Sequence, residues 1–517
     1  MKKKFILSAL LTNIMITQSI NAMNINNKIH AWIKSDNYLI LSIPVKIDRL
    51  DPIKSLNAHS KFSLPLIYEP LVNNNSDQEL EPALAEAWEI ADNNRSIILR
   101  IKKNHHFSDS TEVTAKDVIN SIYRLCGFGS QTYGQLRGLL GCEDHARGKP
   151  INPKIFLLDN YTVKFNINSS PTTFLYQLSS PSTVITKKLS KKLIGSGPYK
   201  IAENSGNYLI LNKNKYYNGN IKINNNGVIL IHTDGHKLIE QINHYKLDGA
   251  ILYEMAVLNH FNNKNYKLIR TNPNITNILV LNNQKYPFNN PEVRKALTAD
   301  IYNHINIACI PGAHKAYGII PVGIGGSLAN AIPEILPEIT PSKLFTKIPS
   351  LKQKSISITI HQLIDLRNNC ASQQIIQTAK KFNIDIKFKY HQDYSDLLPH
   401  YTDHTLDGFL EFYVFNNREA YNIFQFFAKN EGNHANLKND NIDKMLEKAI
   451  STTSSHDRFK IYHQLAEYIQ NNNIAIPLFY IDHGNIMSKC LAGIPQDFIF
   501  NPLNYIPQLY KIKNCNI

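Results

Sequence analysis

The chain has 517 residues, of which 43% are hydrophobic and 10% aromatic, and carries a formal net charge of +15. It is apolar enough to bury large cores, which excludes a disordered chain, and its length corresponds to roughly three domains. The basic residues are spread along the chain without a concentrated patch or a helix-turn-helix context, so the expectation is a solvated basic surface with no nucleic-acid partner.

The chain opens MKKKFILSALLTNIMITQSINA. Lys2, Lys3 and Lys4 precede an apolar stretch from Phe5 to Ile16, and Ile20-Asn21-Ala22 offers a small-residue cleavage site. This is the layout of a secretory signal peptide. The apolar part is too short for a membrane span, which needs roughly 20 residues. An exported chain is therefore expected, cleaved near Ala22 and starting near Met23. The six cysteines are too sparse for a disulfide scaffold. Export permits oxidation, and Cys126 with Cys142 is the closest pair, but spacing does not fix connectivity.

In chain order, NYLILSIPVKIDRLDP (37–52) is a β-rich run ending in a turn, and FSLPLIYEPLV (62–72) is helix-like. ELEPALAEAWE (79–89) reads as an acidic turn ahead of the strand RSIILRIKK (95–103), whose Ile97, Leu99 and Ile101 share one face. TAKDVINSIYRL (114–125) is a helix with Thr114 as N-cap, Asp117 in its first turn, and Val118, Ile122 and Leu125 at helical spacing. NYTVKFNI (160–167) is a strand, while IGSGPYKI (194–201) and NYLILNKN (207–214) make a hairpin. Residues 228–252 read strand, helix, strand. NITNILVLNNQ (274–284) is a strand, followed by a helix over 291–305 with Pro291 in its first position. The segments 355–362, 370–382 and 384–390 form a β-α-β unit; 405–415 is a strand and 457–470 a helix. This alternation indicates α/β layers with mixed sheets.

No motif supports catalysis, a cofactor or a metal. GIGGS (323–327) lacks the ending of a phosphate loop and reads as a surface turn. His105-His106, adjacent on a strand, would point to opposite faces, and the set His232, His236 and His244 has no carboxylate or cysteine partner at ligand spacing. The His-Glu-x-x-His, Gly-x-Ser-x-Gly and Ser-x-x-Lys patterns are missing. The expectation is a protein that is not an enzyme.

One long segment, LEPALAEAWEIADNNRSIILRIKKNHHFSDSTEVTAKDVINSIYRL, resembles the signature of bacterial extracellular solute-binding proteins of family 5, the dipeptide and oligopeptide binders of ABC importers. The matching positions are Pro82, Leu84, Ala85, Trp88, Leu99, Arg100, Phe107, Asp109, Thr114, Ala115, Asp117, Val118, Ser121 and Arg124. The likeness continues through SGPYKI with LNKNKYYNG, where Tyr217 stands for the family's Trp. It extends through LVLNNQKYPFNNPEVRKALTADI and DRFKIYHQLAEYIQNNNIAIPLFY.

The resemblance implies the type II periplasmic-binding-protein fold: two α/β lobes joined by two crossover strands near 272–284 and 475–486, with an extra domain on the first lobe. It places a signal peptide at 1–22, the first lobe at 23–70, 186–272 and 481–517, the extra domain at 71–185 and the second lobe at 273–480. It implies a monomer in the periplasm that closes on a peptide and delivers it to ABC permease subunits in the inner membrane. By position, the pocket residues are Leu56, Asn57, Ala58 and His59 after the Leu-Asp-Pro turn, and Tyr413, Val414, Asn416 and Glu419 in FYVFNNREAYNIF. The family's Trp is replaced by Tyr413, and its ammonium-binding Asp by Asn416. An amide brings no opposing charge. Either Glu419 or Glu411 supplies that charge, or the ligand is not an ordinary peptide but a metal chelate, haem or cell-wall peptide. A protein with the same fold that acts as an exported chaperone or interaction partner is the reading from another class.

Overall fold

The computed structural model describes residues 37–515, except 45, 48–49, 55–57, 75–78, 131, 191, 234, 259–264, 271–272, 311, 330–334, 354, 364–365, 392–396, 398–399, 401–402, 416–418, 430–431, 453 and 495–504. The expected signal peptide lies outside the described residues.

The first strand, β1 (Tyr38–Ile43), is buried on both sides through Leu39, Ile40, Leu41 and Ile43. An apolar run without alternation is what a strand covered on both faces requires. A helix, α1 (Ala58–Ile67), follows and ends before residue 68, so only the first part of the helix-like stretch 62–72 is helical.

The chain then leaves this layer to build an antiparallel sheet of β2 (Ala85–Ala91), β3 (Ser96–Ile101), β4 (Ile155–Asp159) and β5 (Thr162–Asn166), in the order β2-β3-β5-β4. Here the reading of 79–89 as a turn is corrected. Ala85–Ala91 is itself a strand, with Trp88 opposite Leu99. Its Ala- and Glu-rich composition has little strand propensity, and pairing with the strongly β-forming β3 overrides it. The helix α2 (Ala115–Leu125) packs Val118, Ile122 and Leu125 into the same core as Ile97, Leu99, Ile101, Val163 and Phe165. The Asp117 carboxylate accepts hydrogen bonds from the Thr114 amide at 2.9 Å and the Thr114 hydroxyl at 2.6 Å, fixing the helix start. Cys126, just beyond α2, is disulfide-bonded to Cys142. A shorter helix, α3 (Pro171–Leu178), is capped by the Ser170 hydroxyl accepting from the Thr173 amide.

The chain returns to the first layer through β6 (Tyr199–Asn204), β7 (Tyr208–Lys213), β8 (Gly227–His232), the helix α4 (Leu238–Tyr245), β9 (Gly249–Glu254) and β10 (Tyr266–Arg270). The chain then enters β11 (Ile275–Leu281), which opens a second sheet. This sheet adds β12 (Ala313–Lys315), β13 (Ile356–Leu363), β14 (Ile384–His391), β15 (Gly408–Val414) and β16 (Ala475–Ile481). Its helices are α5 (Pro291–His304), α6 (Leu366–Lys381), α7 (Asn441–Ser451) and α8 (Ser455–Asn471). A return crossing at Asp482 leads into β17 (His483–Ser488). The first sheet runs β6-β7-β8-β1-β9-β17-β10, the second β12-β16-β11-β15-β13-β14.

Each sheet is covered on both faces. In the second lobe, Leu279, Leu281, Ile358 and Ile360 face α5 and α6, while Ile278, Val280 and Phe415 face α7 and α8. The Gly-rich stretch 323–327 serves this packing. A Cβ on Gly325 would stand 2.3 Å from the Phe459 ring, and Gly326, at φ +92°, lies under Tyr462.

Candidate functional site

The two crossings define where a ligand meets the fold. In the second lobe, Ile275 at the start of β11 lies opposite both Val414, the last residue of β15, and Ile481, the last residue of β16. In the first lobe, Arg270 at the end of β10 faces Gly484 in β17, and Glu254 at the end of β9 faces His483. β1 runs parallel to β8 and β9, and β13 parallel to β14 and β15. The carboxyl ends of β9 and β15 thus lie at the crossing ends of their sheets, the place where open α/β sheets bind ligands.

Tyr413 and Val414 close β15 there. Tyr413 sits opposite Thr276 and packs edge-on against Phe415 at 4.8 Å and Phe426 at 5.6 Å. Burial pushes its phenol well above the ordinary tyrosine range, with Asn422 bonding in the opposite sense. Phe426 in turn stacks on His434, with ring centres 4.7 Å apart. Val414 points to the other face, against the α5–α6 core. Of the residues expected on the first lobe, Leu56 and Asn57 lie outside the described residues, and Ala58 and His59 occupy the first turn of α1. Asn416 also lies outside the described residues.

Glu419 has other partners. The Arg458 guanidinium donates to its carboxylate from Nε at 3.0 and 3.2 Å and from Nη2, and the Tyr462 hydroxyl donates at 2.9 Å. With Arg458 at 1% side-chain exposure and Glu419 at 11%, this is a buried ion pair that anchors α8. A carboxylate so occupied has little capacity left for a ligand.

Glu411 differs. It is 8% exposed and lies opposite Ile278, one position beyond Leu410, the last β15 residue paired with β13. The His434 ring lies beside it: Nδ1 is 3.4 Å from Oε2, a hydrogen bond, and 3.1 Å from Oε1, which accepts no hydrogen bond of good geometry. Buried polar atoms without hydrogen bonds recur on the crossing segments: Asn274 Oδ1, Thr276 Oγ1 and Asn277 Nδ2 on the first, Asp482 Oδ1 on the second. Each such atom costs roughly 1–3 kcal/mol unless something supplies its partner. The sequence singles out Tyr413 and Glu411 but gives no sign of the unbonded oxygens of Thr276 and Asp482, which look like ordinary strand and turn residues.

Two covered α/β sheets joined at two crossings, with several buried polar atoms on the crossing segments lacking hydrogen bonds, define a two-lobed protein. The model of the bacterial extracellular solute-binding proteins, family 5, matches residues 79–435, and the chain belongs to that family. It is 24% identical over 523 residues to the "Probable D,D-dipeptide-binding periplasmic protein DdpA" of Escherichia coli (strain K12), covering 94% of this chain and 95% of that protein. Among solved structures, it resembles the periplasmic binding protein DppA of Helicobacter pylori in complex with the peptide STSA. The TM-score is 0.76 and the identity 21%, covering 92% and 98% of the two chains. The binding protein AgaA in complex with agropinic acid, from A. tumefacien R10, is equally similar, with a TM-score of 0.76, 18% identity and coverage of 93% and 99%. The fold is the type II periplasmic-binding-protein architecture, and the chain is a binding protein rather than an enzyme. No helix among the described residues is long and apolar enough to cross a membrane.

Proposed function

We propose that this protein is exported to the periplasm, captures peptides between its two lobes and presents them as a closed monomer to ABC permease subunits. The observation that carries the peptide reading is the Glu411 carboxylate, buried at the end of the β13 pairing with Oε1 lacking a hydrogen bond. A peptide's α-ammonium supplies three donors and the opposing charge, and Thr276 and Asp482 on the crossing strands add acceptors for it or for the peptide main chain. In this reading the second lobe spans 273–480. The first lobe, with the extra domain 71–185, supplies the opposite wall, including residues 56–59.

Calorimetry with a tripeptide tests this directly. Glu411→Gln keeps the shape and removes the charge, so affinity for a free-amine peptide should fall about 10- to 100-fold, the weight of a hydrogen bond to a charged group. The N-acetylated peptide should bind both forms equally weakly. Equal affinity of the two forms for the free amine would remove Glu411 from the site. Asn416 in place of the family's acidic residue favours a second reading, a cargo without a free ammonium, and strong binding of the acetylated peptide would select it.

Closure has its own measurement. A ligand bridging both lobes favours the closed form by its differential contacts there. Saturating peptide should therefore reduce the radius of gyration in solution scattering, and an unchanged radius at full occupancy would refute hinge closure.

A further inference from the structure

The second lobe holds a group of histidines that peptide capture does not use. His361 lies in β13, His391 ends β14, and His400 comes from the connection between β14 and β15. Their ring centres are 5.0, 5.2 and 5.8 Å apart, and His361 Nδ1 is 2.9 Å from His391 Nε2. His361 is 3% exposed. Leu397, Leu406 and Phe409 form a small apolar cluster here, with the Phe409 ring 6.4 Å from that of His361. His361 pairs in register with Phe409, the second residue of β15 and two positions before Glu411, so the group lies at the carboxyl ends of β13 and β14.

We propose that His361, His391 and His400 form a binding site for one divalent transition-metal ion of the zinc, copper and nickel class. Three imidazoles suit these borderline ions, and calcium or magnesium would demand oxygen ligands. The spacing supports this. Metal–nitrogen bonds of about 2.0–2.1 Å in tetrahedral geometry place three imidazole centres roughly 5.2 Å from one another. The nitrogens of His361 and His391 already lie side by side, while that of His400 does not yet converge with them. His400 is about one-third exposed, and its terminal torsion is broad, so a turn of the ring brings it in. Asp403, 3.8 Å from His400 Nδ1, is placed to orient that ring once it ligates.

Burial first, then His391, His400 and Lys389, bring His361 down to about 4, with Asp407 opposing. Asp407 is held by the Thr359 amide at 2.8 Å and Lys285 Nζ at 2.8 Å, so it contributes a field rather than a ligand. Among the described residues, the group whose ligand atoms are already gathered is Asp300, His304 and Glu338. There Lys381 Nζ already sits 2.8 and 3.1 Å from the Asp300 carboxylate and supplies the cation.

The test uses the mature full-length protein and zinc alone, followed by calorimetry, with cobalt as a visible probe of coordination. One Zn2+ should bind per chain, and Co2+ should give the intense visible absorption of a tetrahedral site. His400→Ala, at a partly exposed position, should fold normally and bind zinc at least about tenfold more weakly, as losses around metal sites do. His391→Ala should do the same. If His361→Ala unfolds, the other two variants decide. Zinc binding unaltered in both, or no saturable binding by the folded wild type, overturns the proposal. The inference does not rest on the cargo: loss of peptide binding in Glu411→Gln with zinc binding retained, or the reverse, separates the two.

Discussion

Reducing all three disulfides should lower the unfolding free energy by on the order of 10 kcal/mol while leaving ligand-driven closure intact. The pairs Cys126–Cys142, Cys490–Cys515 and Cys309–Cys370 are separated by 16, 25 and 61 residues. Chain-entropy reasoning assigns roughly 3 to 4 kcal/mol to each loop. The first lies in the α2 region of the extra domain, the second beyond β17 in the first lobe, and the third ties the turn after α5 to α6 in the second lobe. None joins a residue that precedes β11 to one between β11 and β16, so each staple is internal to one unit and is expected to leave closure unconstrained. Urea denaturation with and without reductant measures the first part, and scattering with peptide the second. An unchanged midpoint would show that the loops carry no weight, and a reduced protein that binds but no longer compacts would show that the staples act on the hinge.

These pairings mark the limit of what spacing reveals. Cys126 and Cys142 stand out only as the closest pair, and Cys309 and Cys370 meet because α5 and α6 pack side by side against the second sheet. Local signals served well where they were dense. The capped helix α2, the β7 strand LILN and the parallel pair β13–β14 were readable because apolar period and turn residues agree. β2 was not, since its Ala-Glu composition says turn or helix and only the neighbouring strand makes it extended. The same holds for the site. Tyr413 and Glu411 lie in a strand the sequence shows, whereas Glu419, offered with Glu411 as the source of the opposing charge, is held by a buried arginine. Its partner Arg458 lies 39 residues away, and only the packing of α8 brings them together. The histidine trio is a tertiary product of the same kind: 30 residues separate His361 from His391.

Replacing Arg458 with alanine should cost about 3–5 kcal/mol of stability, the penalty for leaving a buried carboxylate without its cation. Arg458 donates to both oxygens of Glu419 and, through Nη1, to the Thr452 carbonyl at 3.0 Å, so its loss also frees the start of α8. Arg458→Met combined with Glu419→Gln removes both charges together and should recover most of that loss. Recovery identifies a desolvated pair, whereas additive losses would mean that the two residues act separately. Arg458 has a second contact of a different kind. Its guanidinium lies 5.9 Å from the ring centre of Tyr176 in α3, which belongs to the extra domain. Burial, reinforced by Glu419 and opposed by Arg458, pushes the Tyr176 phenol up to about 12. A cation–π contact of this type contributes about 0.5–2 kcal/mol, and here it joins the extra domain to the second lobe. If closure brings this contact together, Tyr176→Ala should leave each unit's stability almost unchanged while weakening ligand affinity roughly 2- to 30-fold. A Tyr176→Ala protein with unaltered affinity would mean that closure is set by the ligand alone.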